Sequence, residues 1–200
     1  MKKTILILFL LTSQFLYANV HSILFLGDSL TEGLGVSKKD AYPSLIQQLI
    51  KTKLNKDIKI INAGVSGSTT SDGLDRLKWY LKTKPDIIFI ALGANDGLRG
   101  LNLNQSEKNL EKIIKLALDS KAKVVLVGML IPPNYGFEYS KKFENMYIKL
   151  KEKYNLKFMP FLLKDVAGEK SLNQADGIHP NEKGHKIIAN NLFEFLKGQL

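Results

Sequence analysis

A serine near one end of this chain and an aspartate–histidine pair near the other are the residues best suited to covalent chemistry. Ser29 stands in Gly27-Asp28-Ser29-Leu30, after the apolar run Ile23–Leu26. Asp176 and His179 stand in Asp176-Gly177-Ile178-His179-Pro180, the carboxylate three residues before the imidazole. A serine hydroxyl is a poor nucleophile until a base takes its proton. An imidazole serves best when a carboxylate fixes its tautomer and steadies the imidazolium. Together the three groups imply acyl transfer to water, with Ser29 attacking, His179 moving the proton and Asp176 orienting His179. Taken singly, each has a plainer reading: Ser29 as a helix N-cap, Asp176 as a turn or cap residue. His21 and His185 are the remaining histidines. His21 precedes the first strand, and His185 sits in the last helical stretch with only the helical Glu182 three residues before it.

Residues so far apart need a fold that joins them. Ile23–Leu26, Ile58–Ile61, Ile87–Leu92, Val124–Met129 and Phe158–Leu163 read as strands, short and apolar. Between and after them, Tyr42–Lys53, Gly73–Lys82, Ser106–Leu118, Tyr139–Tyr154 and Asn181–Lys197 carry apolar residues at helical spacing. Alternation of this kind predicts an α/β domain with a mostly parallel sheet, helices on both faces and right-handed crossovers. In such a sheet the carboxyl ends of the strands share one edge, where ligand crevices form. Gly27-Asp28-Ser29 follows the first strand, Asn62–Gly67 the second, Gly93-Ala94-Asn95-Asp96 the third, and Asp176 and His179 come after the fifth. The polar, glycine-rich loops therefore converge on one rim.

These motifs resemble the GDSL, or SGNH, family of serine esterases and lipases. Four blocks in order carry the resemblance: Gly27-Asp28-Ser29-Leu30, Gly67 within Asn62–Gly67, Gly93-Ala94-Asn95-Asp96, and Asp176-Gly177-Ile178-His179-Pro180. Within the family the chain is most similar to the periplasmic thioesterase I/lysophospholipase group, on Asn95–Gly100 and Pro133–Gly136. The resemblance covers essentially the whole mature chain. It implies a flavodoxin-like three-layer α/β/α sandwich with a five-stranded parallel sheet. It also implies hydrolysis of acyl esters, thioesters or lysophospholipids through an acyl-enzyme on Ser29. The oxyanion hole it implies is the backbone N–H of Ser29, the backbone N–H of Gly67 and the side-chain amide of Asn95. Gly64 is a nearby alternative, better suited to a turn. Asp28 and Asp96 read as loop-fixing residues. Leu98, Ile131, Pro133 and Tyr135 are candidates to line an acyl groove, with core packing an equal reading for Ile131 and Tyr135.

The formal charge is +10, nearly all of it lysine, with Arg76 and Arg99 as the only arginines. The lysines are scattered over the helical stretches, unlike the clustered arginine and aromatic patches of nucleic-acid binders, so nucleic acid is not an expected partner. Lys2 and Lys3 followed by apolar Ile5–Leu11 and a small Ala18 predict a signal peptide over residues 1–18, with the catalytic domain over 19–200. An uncleaved anchor is the alternative. Cleavage implies a periplasmic or secreted protein with no stable membrane insertion. There is no cysteine, hence no disulfide, and three scattered histidines give no metal-ligand spacing, so neither metal nor cofactor is expected. A monomer acting on a small-molecule substrate is the expectation. The competing readings are a polysaccharide O-acetyl esterase of the same fold and a non-catalytic binding module.

Overall fold

The computed structural model describes residues 20–200, so the expected leader lies outside the described residues. The first half runs β1 (Ser22–Gly27), α1 (Ser29–Glu32), α2 (Tyr42–Leu54), β2 (Lys59–Gly64), α3 (Thr70–Tyr80), β3 (Ile87–Ala91) and α4 (Ala94–Leu98). The second runs α5 (Leu103–Asp119), β4 (Lys123–Val127), α6 (Phe137–Lys153), β5 (Lys157–Met159) and α7 (Glu182–Leu196). The five strands form one parallel sheet in the order β2-β1-β3-β4-β5.

Central β1 and β3 are buried along their whole length, which is why they read as continuous apolar runs rather than alternating ones. Phe25 of β1 lies level with Asn62 of β2 and Phe89 of β3, and the two phenyl rings pack with centroids 5.0 Å apart. From β1 the chain steps out to β2, then back across β1 to β3 and on to β5. Right-handed crossovers therefore put α2 on one face and α3, α5 and α6 on the other. After β5, α7 returns to pack beside α2. Leu110, Ile113, Ile114 and Ala117 of α5 are buried as its apolar stripe requires. The reversal of direction between β1 and β3 opens a crevice at their carboxyl ends.

Three local departures from the sequence expectation have clear causes. β2 runs on through Asn62-Ala63-Gly64, because these residues pair in register with Phe25-Leu26-Gly27. β5 stops at Met159, ahead of Pro160, which has no N–H for the ladder. α3 starts at Thr70, because Thr69 and Asp72 form a reciprocal capping box, with the Thr69 N–H donating to Asp72 Oδ2 at 2.8 Å.

Candidate active site

At the end of β1 the chain turns directly into α1. Asp28 caps that helix, its Oδ1 accepting from the Leu30 N–H at 3.1 Å, and Ser29 becomes the first helical residue. The cap is thus Asp28, not Ser29, and the serine hydroxyl is left for chemistry. β2 packs tightly against the same turn. A Cβ on Gly64 would stand 2.2 Å from the Glu32 backbone nitrogen, so only glycine allows the two segments this approach.

The Ser29 hydroxyl lies 2.9 Å from His179 Nε2, although 150 residues separate them. His179 Nδ1 lies 2.6 Å from Asp176 Oδ2. Asp176 Oδ1 accepts from the backbone N–H groups of Ile178 and His179, both at 3.0 Å. The three-residue spacing thus lets one carboxylate shape its own loop and hold the imidazole. Its hydrogen bonds with the His179 ring and backbone push the Asp176 pKa down to about 2. An ionised carboxylate only accepts, so Nδ1 carries the proton and Nε2 is free to accept from Ser29. Gln174 steadies the loop from outside, donating to the carbonyls of Leu34 at 2.7 Å and Pro180 at 3.0 Å. Sequence reasoning missed Gln174, an isolated amide with no motif around it.

The other histidines stand apart. The His21 backbone N–H donates to Asp86 at the start of β1. His185 is buried in α7, its Nδ1 accepting from the Tyr42 N–H at 3.3 Å, and burial lowers its pKa to about 4.

The three expected oxyanion donors follow β1, β2 and β3. The Ser29 and Gly67 N–H groups donate to nothing among the described residues. Gly67 adopts φ +77°, a left-handed conformation that favours glycine. Asn95, in the first turn of α4, donates from Nδ2 to the Ser68 carbonyl at 2.9 Å, which leaves its second amide hydrogen free. Asp96 is fixed differently. It is buried and accepts from the Thr70 N–H (2.9 Å) and from the hydroxyls of Thr70 (2.6 Å) and Ser106 (2.7 Å), tying α4 to α3 and α5. Asp28 is wholly buried, and burial pushes its pKa up to about 6; its Oδ2 has no partner among the described residues.

A cavity of about 550 Å³ opens beside Ser29, His179 and Asn95. Leu98 and Ile131 line it, together with Met129, Leu130, Phe161 and Ile178, which sequence reasoning missed. Ile178 lay in plain view inside the Asp176–Pro180 block, an apolar residue with no polar task; Phe161 had no signal. Tyr135 is not among the lining residues: its hydroxyl donates to the Leu98 carbonyl at 2.8 Å, which ties it to the backbone of a residue that does line the cavity. Pro133 opens the short turn Pro133–Tyr135, and its side chain lies outside the described residues. Among the described residues no group of three or more His, Cys, Asp or Glu side chains could hold a metal ion. The arrangement suits nucleophilic attack on an acyl carbonyl whose chain lies in an apolar cavity.

Comparison with known proteins agrees with this geometry. Residues 25–187 match the model of the GDSL-like Lipase/Acylhydrolase family. The chain is 39% identical to an arylesterase of Vibrio mimicus over 170 residues, 84% of each chain. It is 35% identical to thioesterase 1/protease 1/lysophospholipase L1 of Escherichia coli (strain K12), covering 91% of this chain and 86% of that one. Among solved structures, that of TesA superposes with a TM-score of 0.86 at 35% identity, over 90% of this chain and all of that one.

Proposed function

The chain belongs to the GDSL-like lipase/acylhydrolase family, and from that premise we propose that it hydrolyses carboxylic ester and thioester bonds of acyl substrates through an acyl-enzyme on Ser29. The observation that carries the reading is the hydrogen-bonded line Ser29–His179–Asp176 at the mouth of an apolar cavity. Ser29 Oγ attacks the acyl carbonyl as His179 Nε2 takes its proton, and the carbonyl π electrons move to oxygen. The Ser29 N–H, Gly67 N–H and Asn95 amide stabilise that oxyanion. The tetrahedral intermediate collapses, the bond to the leaving oxygen or sulfur breaks, and His179 returns the proton to it. Water then repeats the sequence on the acyl-serine, releasing the acid. Asp176 stays ionised throughout and holds His179 in register.

Aryl esters, thioesters and lysophospholipids are the substrate classes named for the relatives, and an apolar cavity of about 550 Å³ accommodates an acyl chain in each. A polysaccharide acetyl group would leave most of it empty, so deacetylation is not favoured. The enzyme is proposed to act as a monomer in the periplasm or outside the cell. Residues 1–18 serve as a cleaved leader, a reading supported by the basic start and the apolar run Ile5–Leu11. Among the described residues no helix is long and apolar enough to cross a membrane.

Hydrolysis of p-nitrophenyl esters from acetyl to palmitoyl, beside Ser29→Ala, tests the reading. Turnover of medium or long chains that vanishes in the variant supports it. Acetate-only turnover, or activity that survives in Ser29→Ala, overturns it.

A further inference from the structure

The chain has only two arginines among 29 basic residues, and both guanidinium groups grip the Gly67–Ser68 turn. Arg76, half-buried on α3, donates to the Ser68 hydroxyl at 2.6 Å and to the Gly27 carbonyl at 2.9 Å, joining the turn to the end of β1. Arg99, at the end of α4, approaches from the solvent side. Its Nη2 donates to the Gly67 carbonyl at 3.0 Å and reaches Asn95 Oδ1 at 3.4 Å. One exposed cation thus touches the two residues proposed to supply the second and third oxyanion donors. We propose that Arg99 is a positioning residue for the oxyanion hole, setting the orientation of the Asn95 amide and the placement of the Gly67 turn. The inference rests on the acyl-hydrolase reading above.

The physical basis is the two-fold ambiguity of a side-chain amide. Asn95 could present either its NH₂ or its carbonyl oxygen to the reacting centre; the first stabilises an oxyanion and the second repels it. A guanidinium can only donate, and the Ser68 carbonyl can only accept. One donating to Oδ1 and the other accepting from Nδ2, they select the orientation in which Oδ1 faces Arg99 and Nδ2 faces Ser68, in a residue that lines the cavity. The same Nη2 restrains the Gly67 carbonyl, and so the peptide plane on that side of Gly67. Nothing else among the described residues donates to the Gly67 carbonyl or to Asn95 Oδ1. Arg99 is exposed and its hydrogen bonds go to Gly67 and Asn95, not to Ser29 or His179, so its effect passes through those two partners.

Arg99→Met in the purified protein, assayed with a p-nitrophenyl ester, tests this. The oxyanion exists only on reaction, so kcat should fall about 10- to 100-fold while KM moves less than about threefold. An alkylboronic acid forms a tetrahedral adduct on Ser29 with an oxygen in the hole, so its inhibition constant should rise by a similar factor. Arg99→Lys keeps a donor-only cation and should recover part of the lost kcat. In an Asn95→Ala background the Arg99→Met loss should shrink, because one of the two groups it aligns is gone. An unchanged kcat, a rise in KM alone, or an undiminished loss in the Asn95→Ala background would each overturn the assignment. Wild-type protein without Ser29-dependent hydrolysis would instead defeat the functional reading itself.

Discussion

Asp28 places a wholly buried carboxyl next to the nucleophile, and its effect on stability can be isolated by Asp28→Asn. Burial raises its pKa from 3.8 to about 6, against the smaller opposing effects of the Leu30 N–H, its own backbone N–H, His179 and Arg76. The folded pKa lies above the unfolded one, so the associated stability is full below pH 3.8 and is lost as pH rises through about 6. A shift of roughly two units corresponds to about 3 kcal/mol, and most of it falls between pH 4 and 7. The amide introduced by Asp28→Asn is neutral throughout and carries no such slope, although its NH₂ has no acceptor where Oδ2 stood. That cost is independent of pH. The test is urea unfolding of both proteins at pH 4, 5, 6, 7 and 8. The stability of Asp28→Asn relative to wild type should climb by about 2–3 kcal/mol between pH 4 and 7, moving the relative urea midpoint by about 1 M. Groups common to both proteins that do not interact with Asp28 cancel in the difference; the couplings to His179 and Arg76 are smaller than the burial effect. Parallel curves would refute the argument, since they would mean the Asp28 carboxylate is as well stabilised inside as in water.

Asn95→Ala should lower kcat about 100- to 1,000-fold with little change in KM, measured by initial rates over a substrate series; a KM effect alone would remove it from the oxyanion hole. His185 acts in the opposite pH direction from Asp28. Its folded pKa of about 4 lies below the ordinary value of 6.5, so its stability is present above pH 6.5 and lost as pH falls toward 4. Urea curves for wild type and His185→Gln should therefore diverge by about 3 kcal/mol between pH 7 and 4, wild type losing more. Gly64→Ala forces a Cβ against the backbone of α1 and should lower stability by about 1–3 kcal/mol or more, seen as a fall in Tm. The Gly64 N–H already donates to Asn62 Oδ1 at 2.9 Å, so an unchanged Tm would refute the close-approach argument rather than move the oxyanion role to Gly64.

Local chemistry made much of this protein readable from its residues. Apolar runs such as Ile87–Leu92 read as strands because a doubly covered parallel strand has no polar face, and the stripe of α5 follows from helical periodicity. The order of motifs after strands then brought Ser29, Gly67, Asn95, Asp176 and His179 to one rim, since parallel strands all point their carboxyl ends the same way. What stayed illegible depends on where side chains point once distant segments meet. Tyr135 looked like an acyl contact and instead turns its hydroxyl to the Leu98 carbonyl, while Phe161 enters the cavity from a stretch that read as strand. Asp28 and His185 acquire shifted pKa values only because tertiary packing removes water from them. Arg99 was one charge among many until folding set its guanidinium between Gly67 and Asn95. Sequence determined which groups reach the rim, because backbone direction follows from local pattern. Tertiary structure decided what each group does there, because burial and hydrogen-bond direction belong to the packed neighbourhood rather than to any one segment.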